Sequence, residues 1–440
     1  MPVGEWHTRS FLIELKPRAE FASLFVDCPP INEENVQSDA FASGSSANDV
    51  QKTELVKVGE HALELKDIEN GNVESNSVRS RFYARIADLC LHPNTVCALT
   101  WADHSRLFMC KVHAEADGLP LVPKTFHRLA KDISSVVLLD EYVENAQTCP
   151  VSLECAECSL TLFRCDVGRV ELRSIPEDDW LDTSPSMEYF CRDSCAHSHV
   201  HAAHPSDLAT GSNAEQWMPK LHRILVAHSF TLLLKETLQS AAVRIDDVTG
   251  IVKCAQCAAE LGIVCRRNIN ALQLHHSVAT LRASCSREPY VSVRFGCMER
   301  YFAWLLLSQC ESQTSLKLVV RSYDKRPYLL IWLLESYVVL TSGDLRERVV
   351  PINGNGNGDE ECVHSFPALK MLYKVFDAES ARSDPRANGE DASVGLVDMP
   401  LGCCVRLIEL LLSSSHALPP ACRAVGQFYV GFMKLKDGLE

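Results

Sequence analysis

The 440-residue chain is 46% hydrophobic and 23% charged, the balance of a globular protein with a real core and room for two or three domains. A formal net charge of −14 without any concentrated Lys/Arg patch argues against direct nucleic-acid binding, because phosphate recognition needs clustered positive charge. No apolar run approaches the roughly 20 residues that span a bilayer, and "MPVGEWHTRSFLIELKPRAEF" holds no secretory h-region. A soluble protein without membrane contact is therefore expected, cytoplasmic and with access to the nucleus. In that compartment its 20 cysteines read as thiols or metal ligands rather than disulfides.

In chain order, "RSFLIELK", "ALELKDI", "RFYARIADLCL", "TVCALTWA", "RLFMCKVHA" and "SSVVLLDEYV" are runs of β-strand length rich in Val, Leu, Phe and Tyr. The Ser/Asn/Asp-rich stretch 31–52 interrupts them and reads as a disordered insertion. Residues 1–150 are accordingly expected to form a β-rich domain. Residues 151–216 form a cysteine-bearing middle segment that ends in the polar linker "HSHVHAAHPSDLATGSNAEQ".

From 217 to 440 the pattern is mixed, which makes the whole chain α+β. "HRILVAHSFTLLLKETL" predicts a strand or strand–helix unit. Phe302, Leu305, Leu306 and Gln309 have helical spacing behind a glycine. "SLKLVVRS" and "YLLIWLLESYVVLTS" look like paired strands, and "GNGNGDEE" (354–361) is a loop. After Pro400 an amphipathic helix is expected with Val405, Ile408, Leu411 and Leu412 on one face. The alternation of Phe428, Val430 and Phe432 closes the chain as a strand.

Cys155 and Cys158 form a C-x-x-C pair suited to two corners of a tetrahedral zinc. Cys191 and Cys195 follow some thirty residues on and supply the second pair, with His197 as an alternative fourth ligand. The middle segment is thus read as stapled by a structural zinc. Another C-x-x-C, Cys254 and Cys257, has three readings: it joins Cys155 and Cys158 in one discontinuous ribbon, it is a redox pair, or it packs two thiols at a turn. His275 and His276 lie in a polar stretch and read as surface residues. No phosphate loop, G-x-S-x-G, H-E-x-x-H or kinase signature is present.

"LECAECSLTL", "SIPEDDWLDTSPSMEYFC", "HRILVAHSFTLLLK", "IVKCAQCAAELG", "YLLIWLLES", "FPALKMLY" and "MPLGCCVRLIELLL…ALPPACRAVGQFYVGFMKL" occur in that order. This succession resembles the HECT-like ubiquitin ligases that bind ubiquitin-conjugating enzymes, of the cyclin-B-binding type, over roughly residues 150–440. The resemblance implies a HECT-like C-terminal domain at 217–440 and a ubiquitin-protein ligase that takes ubiquitin from a conjugating enzyme and passes it to substrate lysines. It implies Cys404 as the acceptor, with Pro400 at the motif's proline and Met399, Gly402 and Cys403 replacing its Leu, Ala and Thr.

The resemblance further implies cyclin B and the mRNA 3′-end processing endonuclease as partners, with Cys254 and Cys257 at the endonuclease contact. A thiol at a helix start, with Arg406 two residues on from Cys404, has the setting that lowers a cysteine pKa. The alternative is a non-catalytic, zinc-stapled factor that escorts or inhibits the endonuclease, or an adaptor that recruits the conjugating enzyme without covalent chemistry.

Overall fold

The computed structural model describes residues 9–28 except 18 and 20, and residues 56–66, 81–102, 106–116, 125–133, 137–175, 178, 218–286, 288–347, 362–387 and 389–439. The expected insertion at 31–52, the linker at 197–216 and the 354–361 loop lie outside the described residues.

The first third is built of strands: β1 (Arg9–Leu15), β2 (Phe21–Asp27), β3 (Val56–Val58), β4 (Ala62–Lys66), β5 (Arg81–Ile86), β6 (Leu89–Ala102) and β7 (Leu107–Ala116). Period-two patterning is clear in β2 and β7. β2 buries Ala22, Leu24 and Val26, and β7 buries Phe108, Cys110, Val112 and Ala114. Helices α1 (Phe126–Ile133) and α2 (Leu139–Gln147) follow. The strand expected in "SSVVLLDEYV" is corrected here, because Leu139, Tyr142, Val143 and Ala146 are the buried set and recur at i, i+3, i+4 and i+7.

The middle comprises β8 (Val151–Cys155), β9 (Thr161–Cys165), β10 (Glu171–Ser174), β11 (Arg223–Val226), β12 (Phe230–Leu234), β13 (Val243–Ile245), β14 (Ile251–Cys254), β15 (Glu260–Cys265), β16 (Asn268–His275) and β17 (Ala279–Ala283). Two sheets result, one in the order β17-β8-β9 and one in the order β10-β11-β12-β16-β15-β14-β13. Helices α3 (Tyr290–Phe295) and α4 (Met298–Ser312) lie next in sequence; α4 buries Phe302, Leu305 and Leu306 as expected, while Gln309 is only half-buried and Tyr301, Ala303, Trp304 and Leu307 are buried as well.

The remaining strands are β18 (Lys317–Ser322), β19 (Pro327–Glu347), β20 (Cys362–Val363), β21 (Phe366–Val375), β22 (Gly395–Met399), β23 (Ala424–Val425) and β24 (Phe428–Lys434), with helix α5 (Leu401–His416) between β22 and β23. β18 pairs with β19 as expected, but β19 continues for 21 residues. Two register shifts, between Leu333 and Val338, bend it. Its first part packs Leu329, Ile331 and Leu333 into the core that holds α4 and α5, and its last part packs Val339 and Leu345 among the N-terminal strands. β1 lies antiparallel along it from Arg9↔Leu345 to Leu15↔Val339, so the first and last thirds of the chain share one sheet.

The face expected for α5 is also corrected. Its buried residues are Cys403, Cys404, Leu407, Leu411 and Ser415, while Val405 is 42% exposed. Thiols behave as small apolar groups, and the two cysteines rotate the buried stripe away from Val405. Among the described residues no helix is long and apolar enough to cross a membrane.

Candidate metal centre and the helix beside it

Two turns of one design face each other across the two smaller sheets. In the first, β8 ends at Cys155, the chain reverses through Ala156 and Glu157, and Cys158 follows; in the second, β14 ends at Cys254 and the same reversal leads to Cys257. The Ser159 N–H donates to Cys155 O at 2.9 Å and the Ala258 N–H to Cys254 O at 3.0 Å. The Cys155 N–H closes its turn on Leu160 O at 2.9 Å, as the Cys254 N–H does on Ala259 O at 2.8 Å. Both turns place a non-glycine residue in the left-handed region, Ser159 at φ 60° and Ala258 at φ 61°. Strain of that kind persists where the surroundings fix the turn.

These turns bring four sulfurs together. Cys155 Sγ is 3.6 Å from Cys257 Sγ, Cys158 Sγ is 3.6 Å from Cys254 Sγ, and all four lie within 4.8 Å of one another. That separation is far beyond the ~2.05 Å of a disulfide and suits a shared ligand sphere. Cys155 and Cys254 are buried, Cys158 is half-buried and Cys257 is exposed. Burial pushes the Cys155 thiol up to about 12, against the backbone N–H groups of Cys158 and Glu157 that bond its sulfur. Burial acts the same way on Cys254, but the backbone N–H groups of Cys257 and Gln256 and the neighbouring sulfurs outweigh it and lower that thiol. Four sulfurs this close ionise together only around a cation. The set can therefore hold a metal ion.

Of the ligands expected from sequence, Cys155 and Cys158 are in this cluster, while Cys191 and Cys195 lie outside the described residues. Cys254 and Cys257 stand with Cys155 and Cys158, as in the discontinuous ribbon considered above. A second group that the sequence reading missed is His92, His113 and Glu115 on the β6–β7 hairpin, where His92 and His113 are cross-strand partners.

Glu260, three residues past Cys257, accepts the Leu401 N–H at 2.8 Å and so ties the second turn to the start of α5. The neighbouring turn 275–278 meets the same helix end. A Cβ on Gly402 would lie 3.4 Å from Val278, and Val278 O receives the Ala156 N–H of the first turn at 2.9 Å. Cys403 is 1% exposed and touches Ser277 Oγ, and its sulfur is 3.5 Å from His275 Nδ1. His275 Nδ1 pairs with Ser277 Oγ at 2.8 Å, and its Nε2 pairs with Tyr301 OH at 3.2 Å.

Cys404 is 0% exposed, and its sulfur lies 4.0 Å from Met399 O. Burial raises both thiols, Cys403 to about 12 and Cys404 strongly, and it lowers His275 to about 3. The Cys403–His275 contact is thus between a neutral thiol and a neutral imidazole. His275 and His276, read as surface residues, are buried beneath the aromatic side chains of α3 and α4. A polar cavity of about 270 Å³ reaches His275, Tyr323 and Asp398, while Asp398 is already paired with Arg321 at 2.8 Å and Lys325 at 2.6 Å.

Residues 124–430 match the family described as HECT-like ubiquitin-conjugating enzyme (E2)-binding. The chain is similar to an E3 ubiquitin-protein ligase of Bos taurus, 25% identical over 150 residues that cover 30% of this chain and 36% of that protein. It is similar to the E3 ubiquitin-protein ligase of the same name in Homo sapiens at 22% over 143 residues, covering 31% and 36%. The similarity spans about a third of the length of each of these relatives. No solved structure matches. The match covers both cysteine turns, the 275–278 turn and α5 together, and the chain belongs to the HECT-like family of ubiquitin-conjugating-enzyme-binding proteins, within the ubiquitin pathway.

Proposed function

We propose that the protein recruits a ubiquitin-conjugating enzyme without covalent chemistry and promotes ubiquitin transfer from it, Cys404 serving as core rather than as ubiquitin carrier. The burial of the Cys403–Cys404 doublet carries this reading. Transthiolation needs a thiolate within reach of a thioester, and the Cys404 sulfur is enclosed, raised by burial and hydrogen-bonded to no basic side chain among the described residues. The helix dipole and Arg406 favour an anion at this helix end, but desolvation outweighs them. In this reading zinc occupies the four-cysteine cluster. Zinc–sulfur bonds of about 2.3 Å set tetrahedral sulfurs about 3.8 Å apart, close to the 3.6 Å cross-turn spacings. When bound, zinc would hold the four thiolates and fasten the two turns together. Cys254 and Cys257, as ligands, then support the fold and are not offered to an endonuclease.

A binding titration tests the recruiting role. Labelled conjugating enzyme, its own active cysteine replaced by serine, should bind saturably to the wild type and equally well to Cys404→Ser. Absence of saturable binding to the zinc-loaded wild type would overturn the reading.

A further inference from the structure

We propose that Cys149 and Cys285 are a reversible oxidation site that closes as a disulfide. The pair lies just past the end of the β8–β17 ladder. β8 and β17 run antiparallel from Cys155↔Ala279 to Val151↔Ala283. One step further out the Ser284 N–H donates to Pro150 O at 2.8 Å, the last backbone bond between the two strands before they turn. Cys149 and Cys285 are the next residue on each side.

The ladder ends here: the Cys149 N–H closes the end of α2 on Ala146 O at 3.4 Å, and the Ser286 N–H turns back to Ala283 O at 2.9 Å, so Cys285 lies in a tight turn. The side chains bring the pair together. The two sulfurs lie 2.7 Å apart, and each is 3.7 Å from Asn145 O, so both point to the same place at the end of α2. By contrast, the cross-turn sulfurs of the four-cysteine cluster stand 3.6 Å apart. Cys285 is exposed and Cys149 half-buried, which leaves the pair open to a small molecule.

The oxidant is a low-molecular-weight disulfide of the glutathione class. The thiolate of one cysteine attacks it, forming a mixed disulfide and releasing one small thiol. The thiolate of the other cysteine then displaces the second small thiol and forms the protein disulfide. Two electrons pass from the protein to the small disulfide, and the two cysteine protons leave on the two released thiols. Excess thiol reverses both steps. The bond would join residues 136 apart in sequence and clamp one end of β8, the five-residue strand whose other end carries Cys155.

Equilibrating the intact, zinc-loaded protein in glutathione buffers of rising oxidised fraction, followed by alkylation and non-reduced peptide mapping, tests the site. The expected result is a Cys149–Cys285 linked peptide that appears before any other linkage and disappears on adding dithiothreitol. In C285S, at an exposed position that keeps the fold, Cys149 should instead carry a single glutathione. The proposal is overturned if both cysteines stay free to alkylation throughout, if each carries its own glutathione in the wild type, or if Cys149 links to any other cysteine.

Discussion

At His275 and His276 burial drives both imidazoles down to about 3, far below the ~6.5 of an unfolded chain. A folded pKa that is depressed means that protons bind the unfolded state more tightly. The stability contributed by these neutral rings is therefore complete above pH ~6.5 and is lost as pH falls from there towards 3. Each ring should cost about 1.4 kcal/mol per pH unit inside that window. Urea unfolding at pH 7.5 and pH 5 measures the slope, and His276→Gln should remove its own share; an unchanged slope would show that the ring is hydrated. Neither histidine was legible as buried. The stretch "QLHHSV" looks polar, and only the folding of α3 and α4 over it supplies Tyr290 and Tyr301 as covers. The C-x-x-C pairs, by contrast, were legible one by one because their spacing is local. Which pair meets which was not, since nearly a hundred residues separate Cys158 from Cys254 and only sheet packing joins them.

At the scale of elements, each cysteine turn keeps a side chain in the left-handed region, a conformation that costs an L-residue about 1–2 kcal/mol. Ala258→Gly should relieve this at φ 61° and raise stability by about 1 kcal/mol, read as an upward shift in thermal midpoint. A downward shift would show that the turn is not strained. Gly262 behaves oppositely. A Cβ there would fall 1.9 Å from Gln273 O on the adjacent strand, so Gly262→Ala must push β15 off β16. We expect a loss of about 2–3 kcal/mol in denaturant unfolding, and a neutral result would mean that the hairpin is looser than its contacts indicate. Strands in the first third were readable because β2 and β7 alternate in burial and β1 is a short, largely apolar run. The helix α2 was missed because a run of β-branched and aliphatic residues hid an i, i+3, i+4 set. β19 runs through the whole of the expected strand "YLLIWLLESYVVLTS" and on to Glu347, and only its bulges between Leu333 and Val338 left no clear trace in the sequence.

For the whole molecule, the four-cysteine cluster joins a turn near residue 155 to one near residue 254, beside the start of α5 and within the matched family region. If zinc fastens it, metal analysis of the purified protein should give about one zinc per chain. Cys254→Ser or a strong chelator should remove the metal and expose the core at lower denaturant, whereas a folded, metal-free wild type would refute the zinc assignment. The order of motifs along the chain was enough to place the protein in its family. The chemistry at Cys404 depends on depth beneath the surface, which spacing from a proline cannot reveal. The most direct test of the recruiting mechanism mixes ubiquitin-charged conjugating enzyme with the wild type and with Cys404→Ser and follows intact masses under non-reducing conditions. Equal discharge by both proteins, with no ubiquitin thioester on this chain, is the predicted result; a reducible ubiquitin adduct on the wild type that vanishes in Cys404→Ser would contradict it.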